Sequence, residues 1–208
     1  MGIWEVTKHP LFSLVGDNLR QAMDAIKLGN SEIIGLIFKP AGKLMGSKAR
    51  QWLMPAEKTL QLADVLPGQT ILEVGCGTGF FTIPAAQLVG DQGCILALEP
   101  SAAFLREVAK KVDNANLHNV RIMQKDALAT GLEAESMDKV LLFGVLPFPL
   151  LPLNKLLPEM YRVLRPGGTM SVWLFPPLVH SWVPKLIVRS GLFESISNKD
   201  SVYNYIRT

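Results

Sequence analysis

Cysteine is scarce: Cys76 and Cys94 are the two in 208 residues. They form no CxxC and sit in no Cys/His cluster, so neither a structural zinc site nor a disulfide framework is expected, and no metal is assigned. With no disulfide implied, the cytoplasm is the expected compartment. Histidine is as sparse, at His9, His118 and His180. Long apolar runs are missing as well. The longest uncharged stretches, 140–154 (VLLFGVLPFPLLPLN) and 169–184 (TMSVWLFPPLVHSWVP), are broken by prolines and fall short of the roughly 20 residues that a spanning helix needs. The N-terminal MGIWEVTKHP has no basic start ahead of a long apolar stretch, so it does not read as a signal peptide. Excess charge is lacking too. A net charge of +3 neither demands nor excludes an anionic partner.

What is present is apolar. Hydrophobic residues make up 49% and charged ones 19%, which suits a full core, and a mean hydropathy of +0.24 leaves an apolar surplus that needs a home. The length suits one domain with an N-terminal extension. Residues 1–54 hold short apolar clusters separated by glycine and proline, and are expected to form short helices capping something else. From Pro55 the rhythm becomes regular, and 55–208 is expected to be the main domain.

Within it, strands are expected at 70–74, 94–99, 120–124, 138–144 and 169–175, with two more near 192–197 and 201–207. Helices are expected at 55–66, 79–89, 101–112, 153–164 and 178–189, with Ser101 as an N-cap and RPGG (165–168) as a turn. Alternating strands and helices mean right-handed crossovers and a mostly parallel sheet covered on both faces.

The stretch 71–82, ILEVGCGTGFFT, carries the chemistry. A buried strand ends at Val74, and Gly75, Gly77 and Gly79 follow at once. Glycine permits a sharp turn and lets a ligand touch the backbone. Ligands of open α/β sheets bind at the carboxyl ends of strands, where strand order reverses. A dinucleotide fingerprint would read GxGxxG and face a phosphate. Here the pattern is GxGxG with Glu73 ahead of it, and a carboxylate suits a cationic ligand group. Glu99 ends the second strand (LALEP), where a carboxylate can accept both ribose hydroxyls.

The acid-first GxGxG resembles motif I of the class I S-adenosylmethionine-dependent methyltransferases. Asp126-Ala127 after the third strand, Asp138 opening the fourth and LRPGG before the fifth resemble that family's later landmarks in the same order. The resemblance covers roughly 55–208. It implies an α/β fold: a Rossmann-like, doubly wound, mostly parallel seven-stranded sheet with an antiparallel terminal strand, here with an N-terminal helical cap. It implies S-adenosyl-L-methionine as cofactor, held by Glu73, Gly75, Cys76, Gly77, Gly79, Glu99, Pro100, Asp126, Ala127 and Phe143. In the family the glycine loop passes under the methionine part and the leading acid helps set the loop and the amino end. The acid after the third strand meets the adenine amino group.

This chain departs from other branches of the family. Phe143 to Pro149 reads FGVLPFP, with no Asn-Pro-Pro-Tyr-type signature and no pair of catalytic cysteines. The acceptor side therefore reads as apolar, fitting a small or lipid-like methyl acceptor such as a lipid headgroup amine or a quinone-type ring. In-line displacement from a sulfonium mainly needs alignment, and a base only for a poor nucleophile. His180, after the fifth strand, is the candidate base; His118 reads as solvated. No acid occurs between Ile33 and Ala56, whereas Lys39, Lys43, Lys48 and Arg50 lie there beside Phe38 and Trp52. A lid over the site is the first reading of this stretch. Peripheral contact of 33–54 with a membrane surface is the second. A nucleic-acid groove would want denser arginines and aromatic platforms. Two rivals stand beside catalysis: a regulatory protein that binds the cofactor without turnover, and a nicotinamide-dependent oxidoreductase.

Overall fold

The computed structural model describes residues 55–146, 151–174 and 180–208. The expected cap (1–54) and Pro147 to Pro149 of the apolar run 143–149 lie outside them. In chain order the elements are α1 (Ala56–Leu62), β1 (Thr70–Val74), α2 (Thr82–Val89), β2 (Cys94–Leu98), α3 (Ala102–Asn114), β3 (Val120–Met123), β4 (Met137–Phe143), α4 (Leu153–Val163), β5 (Leu164–Trp173), α5 (Val183–Arg189), β6 (Phe193–Lys199) and β7 (Val202–Arg207).

The strands form one seven-stranded sheet in the order β3-β2-β1-β4-β5-β7-β6. The first five are mutually parallel, and β7 runs antiparallel between β5 and β6. This is the doubly wound sheet with an antiparallel terminal strand that the sequence leads one to expect. Strand order reverses between β1 and β4, which opens a crevice at their carboxyl ends.

Both faces of the central strands are covered, so β1, β2 and β4 are apolar almost throughout. On one face Leu72, Val74, Leu96, Val140 and Leu142 pack with Leu156 and Met160 of α4 and Ile187 of α5. On the other, Ile71, Ile95, Leu141 and Phe143 pack with Leu60 of α1 and Ala85 and Ala86 of α2. Lys139 is one of the polar exceptions on this sheet: buried at 2% exposure, it donates to the Thr169 hydroxyl at 2.6 Å, and burial pulls its ammonium down to about 8.

Several boundaries differ from expectation. α1 stops at Leu62 because the chain turns at Asp64, whose φ is +51°. α2 starts at Thr82 instead of 79, since the positive φ of Gly79 cannot enter a right-handed helix. RPGG is not a free turn. It is a bulge inside β5: Met137 pairs with Leu164 and Lys139 with Thr169, so 165–168 stand opposite Asp138 alone. Asp138 fastens the bulge through Arg165, 2.7 Å away, and also accepts from Thr70 N at 2.6 Å. α5 is described from Val183 only, after a short 3₁₀ turn at His180. Ser101 occupies the N-cap position of α3, but its side chain makes no capping hydrogen bond.

Candidate functional site

The glycine loop, 75–79, leaves β1 and is stitched to the end of β2. The N–H groups of Gly75 and Cys76 both donate to Leu98 O, at 2.7 and 3.1 Å, and Gly79 N closes the loop on Cys76 O at 2.9 Å. All three glycines have positive φ. Their surroundings separate them. A Cβ on Gly75 would stand 2.5 Å from Val145 Cγ1, and one on Gly79 would stand 3.3 Å from Val108 Cγ2 of α3. Among the described residues a Cβ on Gly77 would meet nothing within 4 Å. Gly75 and Gly79 thus serve packing, whereas Gly77 lines open space.

Two buried carboxylates flank this loop. Glu99, 8% exposed, accepts from Gly77 N through Oε2 at 3.2 Å and from Ser101 N through Oε1 at 3.1 Å. Each oxygen keeps a lone pair for another donor. Burial pushes the Glu99 carboxyl up from its ordinary value, and the two N–H groups oppose that rise. Glu73, 3% exposed, accepts from the Thr82 hydroxyl at 2.6 Å. Burial, with a contribution from the charge of Glu99, pushes it up to about 7. Among the described residues no ion pair reaches either acid.

The other expected site residues take varied positions. Cys76 is buried with Ala97, Leu105 and Val108, and burial together with the two acids drives its thiol far up, so it stays protonated and unreactive. Pro100 offers its carbonyl to Gln124 Nε2 at 3.0 Å. Asp126 turns the chain after β3 by accepting from Leu128 N at 2.9 Å, and Ala127 lies in the core. Phe143 is 6% exposed, its ring set edge-on to Phe81 at 4.8 Å. His180 stands beyond β5, apart from the loop's hydrogen bonds. Its Nε2 lies 2.9 Å from Leu174 O, so that nitrogen carries the proton, and its ring meets Tyr203 edge-on.

Four contributors were not foreseen. Thr82 holds Glu73, and Ser101 donates its backbone N–H to Glu99. Val145 closes over Gly75, and Lys111 of α3 donates to Thr78 O. Lys111 lies 33 positions from its partner, and no local pattern announces it.

A family model described as a methyltransferase domain matches residues 71–168. Over that stretch the chain is similar to methyltransferase domains. Its relatives include the demethylmenaquinone methyltransferase of Listeria welshimeri, 34% identical over 116 residues that make up 55% of this chain and 48% of that one. A demethylmenaquinone methyltransferase of Bacillus cereus is 34% identical over 113 residues, 54% of this chain and 47% of that one. The chain therefore spans about half the length of the curated relatives it matches. Among solved structures, a SAM-dependent methyltransferase from Aquifex aeolicus superposes with a TM-score of 0.68 at 22% identity, covering 81% of this chain and 96% of that one. It shares the fold. The residues present fit the family's methyl donor: the space over Gly77 is open where a side chain would otherwise stand, and Glu99 has acceptor capacity left on both oxygens.

Proposed function

We propose that this protein is an S-adenosylmethionine-dependent methyltransferase acting on a small or lipid-like apolar acceptor by in-line methyl displacement. The observation that carries it is the open position over Gly77, bounded by a buried carboxylate whose oxygens keep lone pairs for ribose hydroxyls. When bound, S-adenosylmethionine supplies a methyl group already activated by a positive sulfur. What remains for this chain is binding, orientation and exclusion of water.

In this proposal Gly77 lets the backbone approach the ligand while Gly75, Cys76 and Gly79 keep the loop in shape. Glu99 and Pro100 set the ribose end, Asp126 and Ala127 the adenine end, and Phe143 stiffens the wall behind. Glu73 offers negative charge to the cationic end. Alignment of this kind can supply up to roughly 7–11 kcal/mol of barrier lowering. His180, its Nε2 engaged by Leu174, has Nδ1 left to accept a proton from an acidic acceptor group. The apolar acceptor is supported by the composition and by relatives that are named for demethylmenaquinone. Residues 1–54 are proposed as a cap for the acceptor side of domain 55–208, with 33–54 able to rest on an anionic membrane surface. No helix among the described residues is long and apolar enough to cross a membrane.

The test is incubation of the full chain with isotope-labelled methyl donor and fractionated lipid and quinone extracts. Label appearing in an apolar fraction supports the proposal. Cofactor binding without transfer to any fraction would favour a regulatory protein that keeps the fold without turnover.

A further inference from the structure

Two carboxylates converge on one glycine loop, and among the described residues no cation offsets them. They are not equivalent. Glu99 accepts two backbone N–H groups, which stabilise it as an anion. Glu73 is more deeply buried and accepts one hydrogen bond, from a hydroxyl. Among the described residues the groups facing Glu73 are the Thr82 hydroxyl at the start of α2, Glu99 at the end of β2 and the Cys76 thiol inside the loop. None is cationic. Lys111 is engaged at the exposed side of the loop, on Thr78 O. Among the described residues an anion at Glu73 therefore lacks a counter-charge until a ligand brings one.

We propose that Glu73 is a protonated acid in the ligand-free protein and gives up its proton when a cationic ligand seats on the glycine loop. This rests on the cofactor assignment made above. The carboxyl O–H bond breaks and the proton passes to the solvent buffer. The carboxylate left behind keeps the Thr82 hydroxyl and gains the ligand's positive charge. S-adenosylhomocysteine lacks the sulfonium charge, so it draws out less of the proton. Glu73 then acts as a specificity residue that favours the charged methyl donor over the spent product, and the preference grows as pH rises. Its value of about 7 in the ligand-free state places the change near neutrality.

Isothermal calorimetry on the full chain at pH 6.5, in buffers of different ionisation enthalpy, counts the protons. The ligand's own amino group stays charged there. Wild type is expected to release roughly 0.7 proton on binding S-adenosylmethionine, and less on binding S-adenosylhomocysteine. Affinity for S-adenosylmethionine should fall by up to about tenfold per unit of pH below 7, more steeply than affinity for the product. Glu73→Gln should bind with no release and a flat pH profile. Thr82→Val keeps the acid, removes its donor, and should move the release to higher pH, which covers the case in which Glu73→Gln fails to fold. Wild-type binding without proton release would overturn the proposal, and so would unchanged release from Glu73→Gln. Failure of wild type to bind S-adenosylmethionine even at pH 8 would instead strike the cofactor assignment itself.

Discussion

Gly77 and Gly167 share a backbone conformation and differ in place. Their φ values are +54° and +73°, and a Cβ on either would meet nothing within 4 Å among the described residues. Gly77 lies in the loop after β1, Gly167 in the bulge at the opposite end of the sheet. Alanine at either site should cost about 1–2 kcal/mol of stability, the strain of a left-handed non-glycine residue. Gly77→Ala alone should also weaken S-adenosylmethionine binding by more than tenfold, because its methyl enters the ligand's space. Urea titration and calorimetry on the pair separate strain from occupancy, and equal binding by both variants would refute the role given to Gly77. Glu99→Ala should weaken S-adenosylmethionine and S-adenosylhomocysteine by a similar factor, on the order of 1.5–3 kcal/mol, since both carry the same ribose. A fall in turnover with unchanged affinities would move Glu99 to the acceptor side.

At the scale of elements, α4 does more than cover the sheet. Glu159 accepts from both N and Oγ1 of Thr130, at 2.9 and 2.6 Å, pinning the connection between β3 and β4 that follows Asp126 and Ala127. The hydrogen bond from Arg162 is the largest cause holding the Glu159 carboxyl down at about 2. A carboxyl depressed on folding contributes stability that is present above its unfolded value and lost as pH falls through the folded one. That loss runs here from pH 4.5 down to about 2. Glu159→Gln should lower stability at pH 7 by about 1.5 kcal/mol, kept low by partial solvent screening. It should also flatten the acid limb between those two values. Denaturant midpoints measured from pH 2 to 7 check both effects, and an unaltered acid limb would deny Glu159 this role.

For the whole molecule, the seven strands and the helices described on them lie within 56–208, and every loop residue assigned to the cofactor is among them. Deleting 1–54 should therefore leave S-adenosylmethionine affinity within a few-fold of full length and abolish methylation of the apolar acceptor. A truncated protein with full activity would refute the cap. Full-length protein should co-sediment with anionic vesicles more than with neutral ones, and less at high salt. Equal sedimentation with both at low salt would leave a soluble acceptor as the better proposal.

The sequence by itself determined the sheet's element order, the place of the glycine loop and the acids at both strand ends. These are local signals: apolar runs of strand length, glycines where the chain must turn, carboxylates next to them. Its errors are local as well. RPGG reads as a turn in isolation, because the ladder to Met137 and Thr169 that makes it a bulge is a tertiary matter. Only the tertiary structure decided which of three similar glycines faces open space, because Val145 and Val108 arrive from other elements to fill the space beside Gly75 and Gly79. It also decided that Glu99 receives two backbone donors and Glu73 a single hydroxyl. Burial and partners are set by which crossovers bring distant segments together, and that distinction gives one acid two backbone donors that favour its anion and leaves the other a group that can titrate near neutrality.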